Sequence, residues 1–172
     1  MIINGENLLI AAPIVNMEIA KVKENGVSYG LSEAGYDIRV KQAICFGVNN
    51  TGARCVSIQW IDDVGNNHDS YEEGRFTIAS AIEEFRMPSN LLGIVHDKST
   101  WARQGVSVFN TVIEPGWHGF LTLELVYHGN SSLYIPAGTG IAQVIFHETV
   151  SRANYNGKYQ NQLNKPVKAI LE

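Results

Sequence analysis

Glu124 stands in the run Phe120-Leu121-Thr122-Leu123-Glu124-Leu125-Val126, an acid among leucines. On a strand, Leu121, Leu123 and Leu125 share one face, and Phe120, Thr122, Glu124 and Val126 share the other. If the second face meets solvent, Glu124 is one polar residue of an alternating strand, but Phe120 and Val126 are then exposed beside it. If that face is enclosed, desolvation raises the carboxyl pKa and suits it to proton shuttling near neutral pH. Glu114 ends Val112-Ile113-Glu114 just before a Pro115-Gly116 turn. Loops commonly place functional carboxylates there, and a solvated turn acid is the equal alternative.

A second group of residues suits anions. In His96-Asp97-Lys98-Ser99-Thr100-Trp101-Ala102-Arg103-Gln104-Gly105, a Ser99 that caps a helical turn puts Arg103 on its own face. Two hydroxyls, a guanidinium and unpaired N–H groups then converge where a triphosphate would fit, the alternative being a capped surface turn with a solvated Arg. The late segment Tyr155-Asn156-Gly157-Lys158-Tyr159-Gln160-Asn161-Gln162 mixes a cation, two aromatics and amides without an apolar period. It reads either as a frayed terminus or as a segment that a ligand orders. Asp37 could orient a metal-bound water, but pairing with Arg39 in a core turn is the favoured reading.

Several chemistries lack their residues. A zinc-dependent nucleoside deaminase needs His or Cys closely followed by Glu and then Pro-Cys-x-x-Cys, and the chain has only Cys45 and Cys55. Its histidines, His68, His96, His118, His128 and His147, show no metal-site spacing. No P-loop, dinucleotide fingerprint or nucleophile elbow is present. Zinc is therefore not expected.

The elements that must position these groups are mostly strands. Short β-rich runs recur at Ile38 to Val48, Arg54 to Trp60, Arg75 to Ile78, Leu91 to His96, Val106 to Ile113, Phe120 to Tyr127, Leu133 to Ile135 and Ile141 to His147. Separated by Gly, Asn and Pro clusters, they predict an all-β sandwich, jelly roll or barrel. Ile14 to Asn25 predicts a short amphipathic helix ending at Gly26, and Ser99 to Gln104 a second one. With 172 residues, 45% of them hydrophobic, and no linker or repeat, the chain reads as one domain with a real core. Thirteen Lys plus Arg against 17 Asp plus Glu give a net charge of −4, which argues against duplex DNA but leaves room for a nucleotide pocket. The apolar run Leu8 to Val15 is too short for a membrane span and has no Lys or Arg before it, so no membrane association and a cytoplasmic location are expected.

Taken in order, Ala34–Val40, Lys98–Val106, Val112–Leu125, Ile135–Phe146 and Gly157–Gln162 resemble the motif set of the trimeric dUTPase and dCTP deaminase superfamily. Glu124 lies ten residues after Glu114, where the deaminases carry a glutamate, and the Arg103 motif and the late tail are also closer to the deaminases. The resemblance implies a distorted jelly roll, a homotrimer with active sites between subunits, and Mg²⁺ carried by the triphosphate. It implies hydrolysis of dCTP to dUTP and ammonia, with Glu124 as general base and Arg103 holding the water or Glu124. Lys98, Ser99, Thr100, Tyr155, Lys158 and Gln162 would contact phosphates or base, Glu114 would position the nucleotide, and residues 155–172 would form a C-terminal lid. A bifunctional enzyme continuing to dUMP and pyrophosphate, a dUTPase, or a nucleotide-binding regulatory protein are the alternatives. Three features depart from the pattern: the stretch between Arg103 and Glu114 is shorter than in many deaminases, Glu114 stands where Asp is commoner, and Leu163–Glu172 does not match the usual terminus.

Overall fold

The computed structural model describes residues 1–62, 64–109 and 111–171. The elements run β1 (Ile2–Ile3), α1 (Gly5–Ala11), β2 (Lys21–Glu24), β3 (Val27–Leu31), β4 (Tyr36–Arg39), β5 (Ala43–Val48), β6 (Arg54–Ile61) and β7 (Asn67–Glu73). They continue as β8 (Phe76–Arg86), β9 (Leu91–Asp97), α2 (Ser99–Ala102), β10 (Val106–Val108), β11 (Val112–Ile113), β12 (His118–Tyr127), β13 (Leu133–Ile135) and β14 (Gly140–Glu148). All strand pairings between these elements are antiparallel. One sheet is ordered β11-β9-β14-β4-β3-β2, with β1 pairing β14. A second is β10-β12-β8 and a third β13-β5-β6-β7. The result is an all-β distorted jelly roll with two short helices; the all-β class follows from the strand spacing, and the distorted jelly roll is the architecture that the family resemblance implies.

A single apolar cluster joins the sheets. Leu123 and Leu125 of β12, Val144 and Phe146 of β14 and Ile44 and Phe46 of β5 are at most 1% exposed. These residues alternate along their strands, which is the pattern that buries one face of an antiparallel sheet. The turns have local causes. In the β6–β7 hairpin, Asp62 Oδ1 accepts the N–H groups of Val64 and Asn66, at 3.0 and 2.8 Å. In the β5–β6 hairpin, Asn49 Oδ1 does the same for Thr51 and Ala53. Both are side-chain substitutes for a backbone turn.

The helix expected over Ile14 to Asn25 does not form. Ile14 instead bridges Phe85, Val15 N–H donates to the Glu84 carbonyl, and Lys21 to Glu24 form β2. The β-branched Ile14, Val15, Ile19 and Val22 suit extended backbone, so tertiary pairing overrides the helical spacing. Asn25 and Gly26, expected as a helix end, both have positive φ and close the β2–β3 hairpin. The first helix, α1, is not among the expected ones and overlaps only the first part of the apolar run Leu8 to Val15. The run Ile38 to Val48 divides into β4 and β5, and Val106 to Ile113 into β10 and β11, while the short run at Arg75 extends to Arg86. Among the described residues no helix is long and apolar enough to cross a membrane.

Candidate active site

The alternation expected of β12 is present. Leu121, Leu123 and Leu125 enter the core, while Glu124 on the other face is neither buried nor open. Its face lines a cavity of about 480 Å³ shared with Glu114, Trp117, Tyr155 and Gln162. Glu124 Oε2 is buried and has no hydrogen-bond partner among the described residues. Burial pushes the carboxyl above the ordinary glutamate range, outweighing a backbone hydrogen bond that lowers it. An unanswered carboxylate oxygen in a cavity is a free acceptor for water or for a ligand N–H.

The wall opposite β12 is the chain's own late segment, held along the turn that follows Glu114. Tyr155 N–H donates to the Pro115 carbonyl at 2.8 Å, Asn161 N–H to His118 at 2.9 Å, and Phe120 N–H to Gln162 at 3.0 Å. Trp117 Nε1–H reaches the Tyr159 carbonyl at 2.6 Å. Gly119 has φ +131, and a Cβ there would meet Gln162 N at 2.5 Å, so only glycine allows the two backbones to lie this close. The proximity of Tyr155 and Gln162 to Glu124 therefore follows from the Pro115-Gly116-Trp117-His118-Gly119 sequence.

The anion-suited residues lie elsewhere on the chain. Ser99, Thr100 and Arg103 are exposed and do not line the Glu124 cavity. The helix α2 spans four residues and its N-cap is Lys98, with no side-chain cap bond, so Ser99 is its first residue and not its cap. Lys98 has extended backbone and its carbonyl takes the N–H groups of Trp101 and Ala102, which leaves a Ser99 hydroxyl cap unused. The Lys98 ammonium is turned inward, 2.5 Å from Asp37 Oδ2, with both side chains nearly buried. That corrects the expected partner of Asp37, because Arg39 pairs with Glu83 at 2.8 Å instead. Trp101 is buried and donates through Nε1 to the Gly140 carbonyl at 2.8 Å, while Asp97 Oδ1 accepts Val108 N–H at 2.7 Å. These two side chains, together with the Asp37 pair, fix the turn from both sides. Lys158 also stays outside the cavity, donating to the Ile170 carbonyl and lying over the Tyr159 ring. Thus Glu114, Glu124, Tyr155 and Gln162 come together, and Lys98, Ser99, Thr100, Arg103 and Lys158 do not join them within one chain.

The dCTP deaminase-like family model matches residues 14–149. The chain belongs to the dCTP deaminase-like family. It is 38% identical over 154 residues to a dCTP deaminase of Roseiflexus castenholzii, covering 83% of this chain and 82% of that one. To a dCTP deaminase of Helicobacter hepaticus it is 39% identical over 165 residues, covering 88% and 87%. Among solved structures, the Staphylococcus bacteriophage 80alpha dUTPase superposes with a TM-score of 0.50 at 11% identity, over 81% of this chain and 88% of that one. At that identity the likeness is one of fold. A variant dUTPase of phage phi11, at the same TM-score and 10% identity over 84% and 92% of the two chains, is described with a structural Mg(II) ion. In this dCTP deaminase-like chain, no group of three or more His, Cys, Asp or Glu among the described residues is placed to hold a metal. The family match ends before Tyr155, so the segment that walls the Glu124 cavity lies outside it.

Thr122, Glu72 and Lys168 also line the cavity and were not singled out from the sequence. The signal for Thr122 was available, since it shares the Glu124 face two residues away. Glu72 and Lys168 have no local signal, because strand β7 and the chain end reach the cavity only through tertiary packing.

Proposed function

We propose that this chain is a hydrolytic dCTP deaminase that converts dCTP and water to dUTP and ammonia without zinc. The observation that carries this reading is the buried, unpartnered Oε2 of Glu124 in a cavity large enough for a nucleotide base and sugar. Relatives named dCTP deaminase across most of the chain support the same substrate.

Glu124 takes a proton from water as the oxygen adds to C4 of cytosine, and N3 gains a proton. A proton then passes from the new hydroxyl to the exocyclic nitrogen, the C4–N bond breaks and ammonia leaves, with C4=O formed. A carboxyl whose pKa is raised by burial is a stronger base than an ordinary glutamate, which suits it to accept and return that proton. Tyr155 and Gln162 bound the base and sugar side, and Glu114 positions the sugar or a bound water. Arg103, Ser99 and Thr100 are exposed and do not line this cavity, so the reading requires that they reach it from a neighbouring copy, as in a homotrimer with sites between subunits. In that arrangement Arg103 orients Glu124 or the water, while Ser99, Thr100 and Lys158 meet the phosphates of Mg²⁺-bound dCTP. Lys98 contributes by holding the turn through Asp37.

A second reading keeps one specific observation. Glu114 lines the same cavity as Glu124, so a second carboxylate is present for attack at the α-phosphorus, giving dUMP and pyrophosphate. Incubation with a panel of deoxynucleotides and Mg²⁺ separates the two. The deaminase reading expects dUTP and ammonia to rise together from dCTP, unaffected by phenanthroline and lost without Mg²⁺. Pyrophosphate and dUMP appearing at the rate of ammonia would make the chain bifunctional, and no product from dCTP would reject the reading.

A further inference from the structure

Past Gln162 the chain continues as a strap across the open side of β12, in the segment that departs from the family's usual terminus. Val167, Lys168 and Ala169 line the Glu124 cavity. Among the described residues the strap is held at Asn164, Val167 and Ile170, the last also through its carbonyl by Lys158. Lys41 Nζ donates to the Asn164 carbonyl at 3.1 Å, and Ile170 N–H donates to the Tyr159 hydroxyl at 3.1 Å. Between them, Thr122 holds both sides of the segment with one hydroxyl. Its Oγ1 donates to Gln162 Oε1 at 3.2 Å and accepts Val167 N–H at 3.0 Å. Thr122 is 7% exposed, so these bonds are shielded from competing water. A valine would fill the same space and make neither.

The placement has an electrostatic consequence. Glu72, Glu114 and Glu124 line the cavity, and Lys168 is the cation among the lining residues. An anionic ligand entering a partly desolvated space with that many carboxylates is repelled unless a cation offsets them. Lys168 also lines an adjoining cavity of about 410 Å³ with Lys165 and Lys41, so it stands where the two spaces meet.

We propose that Thr122 is a positioning residue that latches the strap Leu163–Leu171 over the Glu124 cavity, bringing Lys168 into place as the cation that meets the phosphates of an anionic nucleotide. The proposal rests on the reading of the cavity as a nucleotide site. Its two halves are tested on the full chain by peptide-level hydrogen exchange without ligand and by titration with dCTP and with deoxycytidine, which lacks phosphates.

In Thr122→Val, the peptide covering the strap should exchange roughly threefold to tenfold faster, the range expected for losing one or two buried hydrogen bonds. The Kd for dCTP should rise by a similar factor, and Thr122→Ser should restore both. Lys168→Met should weaken dCTP by about tenfold, leave deoxycytidine binding unchanged and leave strap exchange unchanged. Unchanged strap exchange in Thr122→Val overturns the latch. Equal weakening of dCTP and deoxycytidine in Lys168→Met overturns the role of the cation. If the parent chain binds neither ligand, the nucleotide reading and the Lys168 role fail together, and the exchange measurement still decides the latch.

Discussion

Glu124 sits half-buried on a ten-residue strand with an oxygen that none of the described residues answers, whereas Ser99, Thr100 and Arg103 stand exposed on and beside a four-residue helix. The two regions spend their polar groups in opposite ways. At Glu124, a carboxylate oxygen is withdrawn from water and left without a partner among the described residues, which is costly for folding and useful for moving a proton. Around α2, the inward groups are fully engaged, through Lys98 with Asp37 and Trp101 with Gly140, and the outward ones are left in water. A desolvated carboxylate without a donor and an exposed guanidinium without a carboxylate are complementary halves, and a single chain does not join them.

The sharpest way to break this comparison is to remove the unpaired acid. Glu124→Gln keeps the size and hydrogen-bonding outline of the side chain but cannot accept the proton, so turnover of dCTP should fall by roughly 10²-fold to 10⁴-fold, the range for a lost general base. Nucleotide binding should stay nearly intact. Steady-state ammonia release together with a calorimetric Kd checks both, and near wild-type turnover would remove Glu124 from the mechanism.

Whether the two halves meet between copies can be read by complementation. Glu124→Gln and Arg103→Ala should each be nearly inactive alone. Mixed by co-refolding, they should recover about a quarter of the parent activity, because random assembly of a cyclic oligomer gives that share of interfaces with both native residues. No recovery would mean that both groups act from the same chain, and the exposed position of Arg103 would then need a rearrangement to explain it.

The strand pattern was legible because burial in this molecule follows the period of two. The opposed faces around Glu124 follow from the alternation of leucines, the run Phe120 to Tyr127 covers all of β12 except His118 and Gly119, and the run Leu133 to Ile135 coincides with β13. In the Ile14 to Asn25 segment a few apolar residues fit both a helix and an extended bridge, and the Asn25-Gly26 pair that closes it serves equally as a helix end and as a hairpin turn, so only the β2–β3 pairing decides between them. Strand β7, with its polar Asn67-His68-Asp69-Ser70, carries no apolar alternation and is set by pairing with β6. In the site, Glu114, Glu124, Tyr155 and Gln162 could be brought together from their motifs. The partner of Asp37 could not, since Lys98 lies 61 positions away and only the β14–β9 and β14–β4 pairings bring the two near.

That buried pair offers a smaller test on the other side of the comparison. Asp37→Asn leaves the Lys98 ammonium nearly buried without its counter-charge, and breaking such a pair by removing one partner costs about 3 kcal/mol or more. Urea unfolding should show that loss. Adding Lys98→Met to Asp37→Asn should recover part of it, because the orphaned charge is then gone. An unchanged midpoint in the single variant would mean that the turn does not depend on this pair, and its outward face would need another support.

The smallest expected effect concerns stability and pH, and it addresses the desolvation of Glu124 directly. Burial raises its carboxyl pKa in the folded chain, so the protonated form is the one that folding favours. The associated stability is fully present below the ordinary glutamate range and is lost as pH rises through the raised folded value. Above that folded value the parent protein has given the stability up, and Glu124→Gln has not. The variant should therefore melt above the parent there, with the gap closing as the pH falls below the unfolded glutamate value. Catalysis should show the same group with the opposite benefit, because a general base works only when deprotonated: kcat/KM should rise with pH across the interval in which the melting gap opens. A melting difference that does not change with pH would mean that Glu124 is solvated, and the contrast between the two halves of the site would then rest on placement alone.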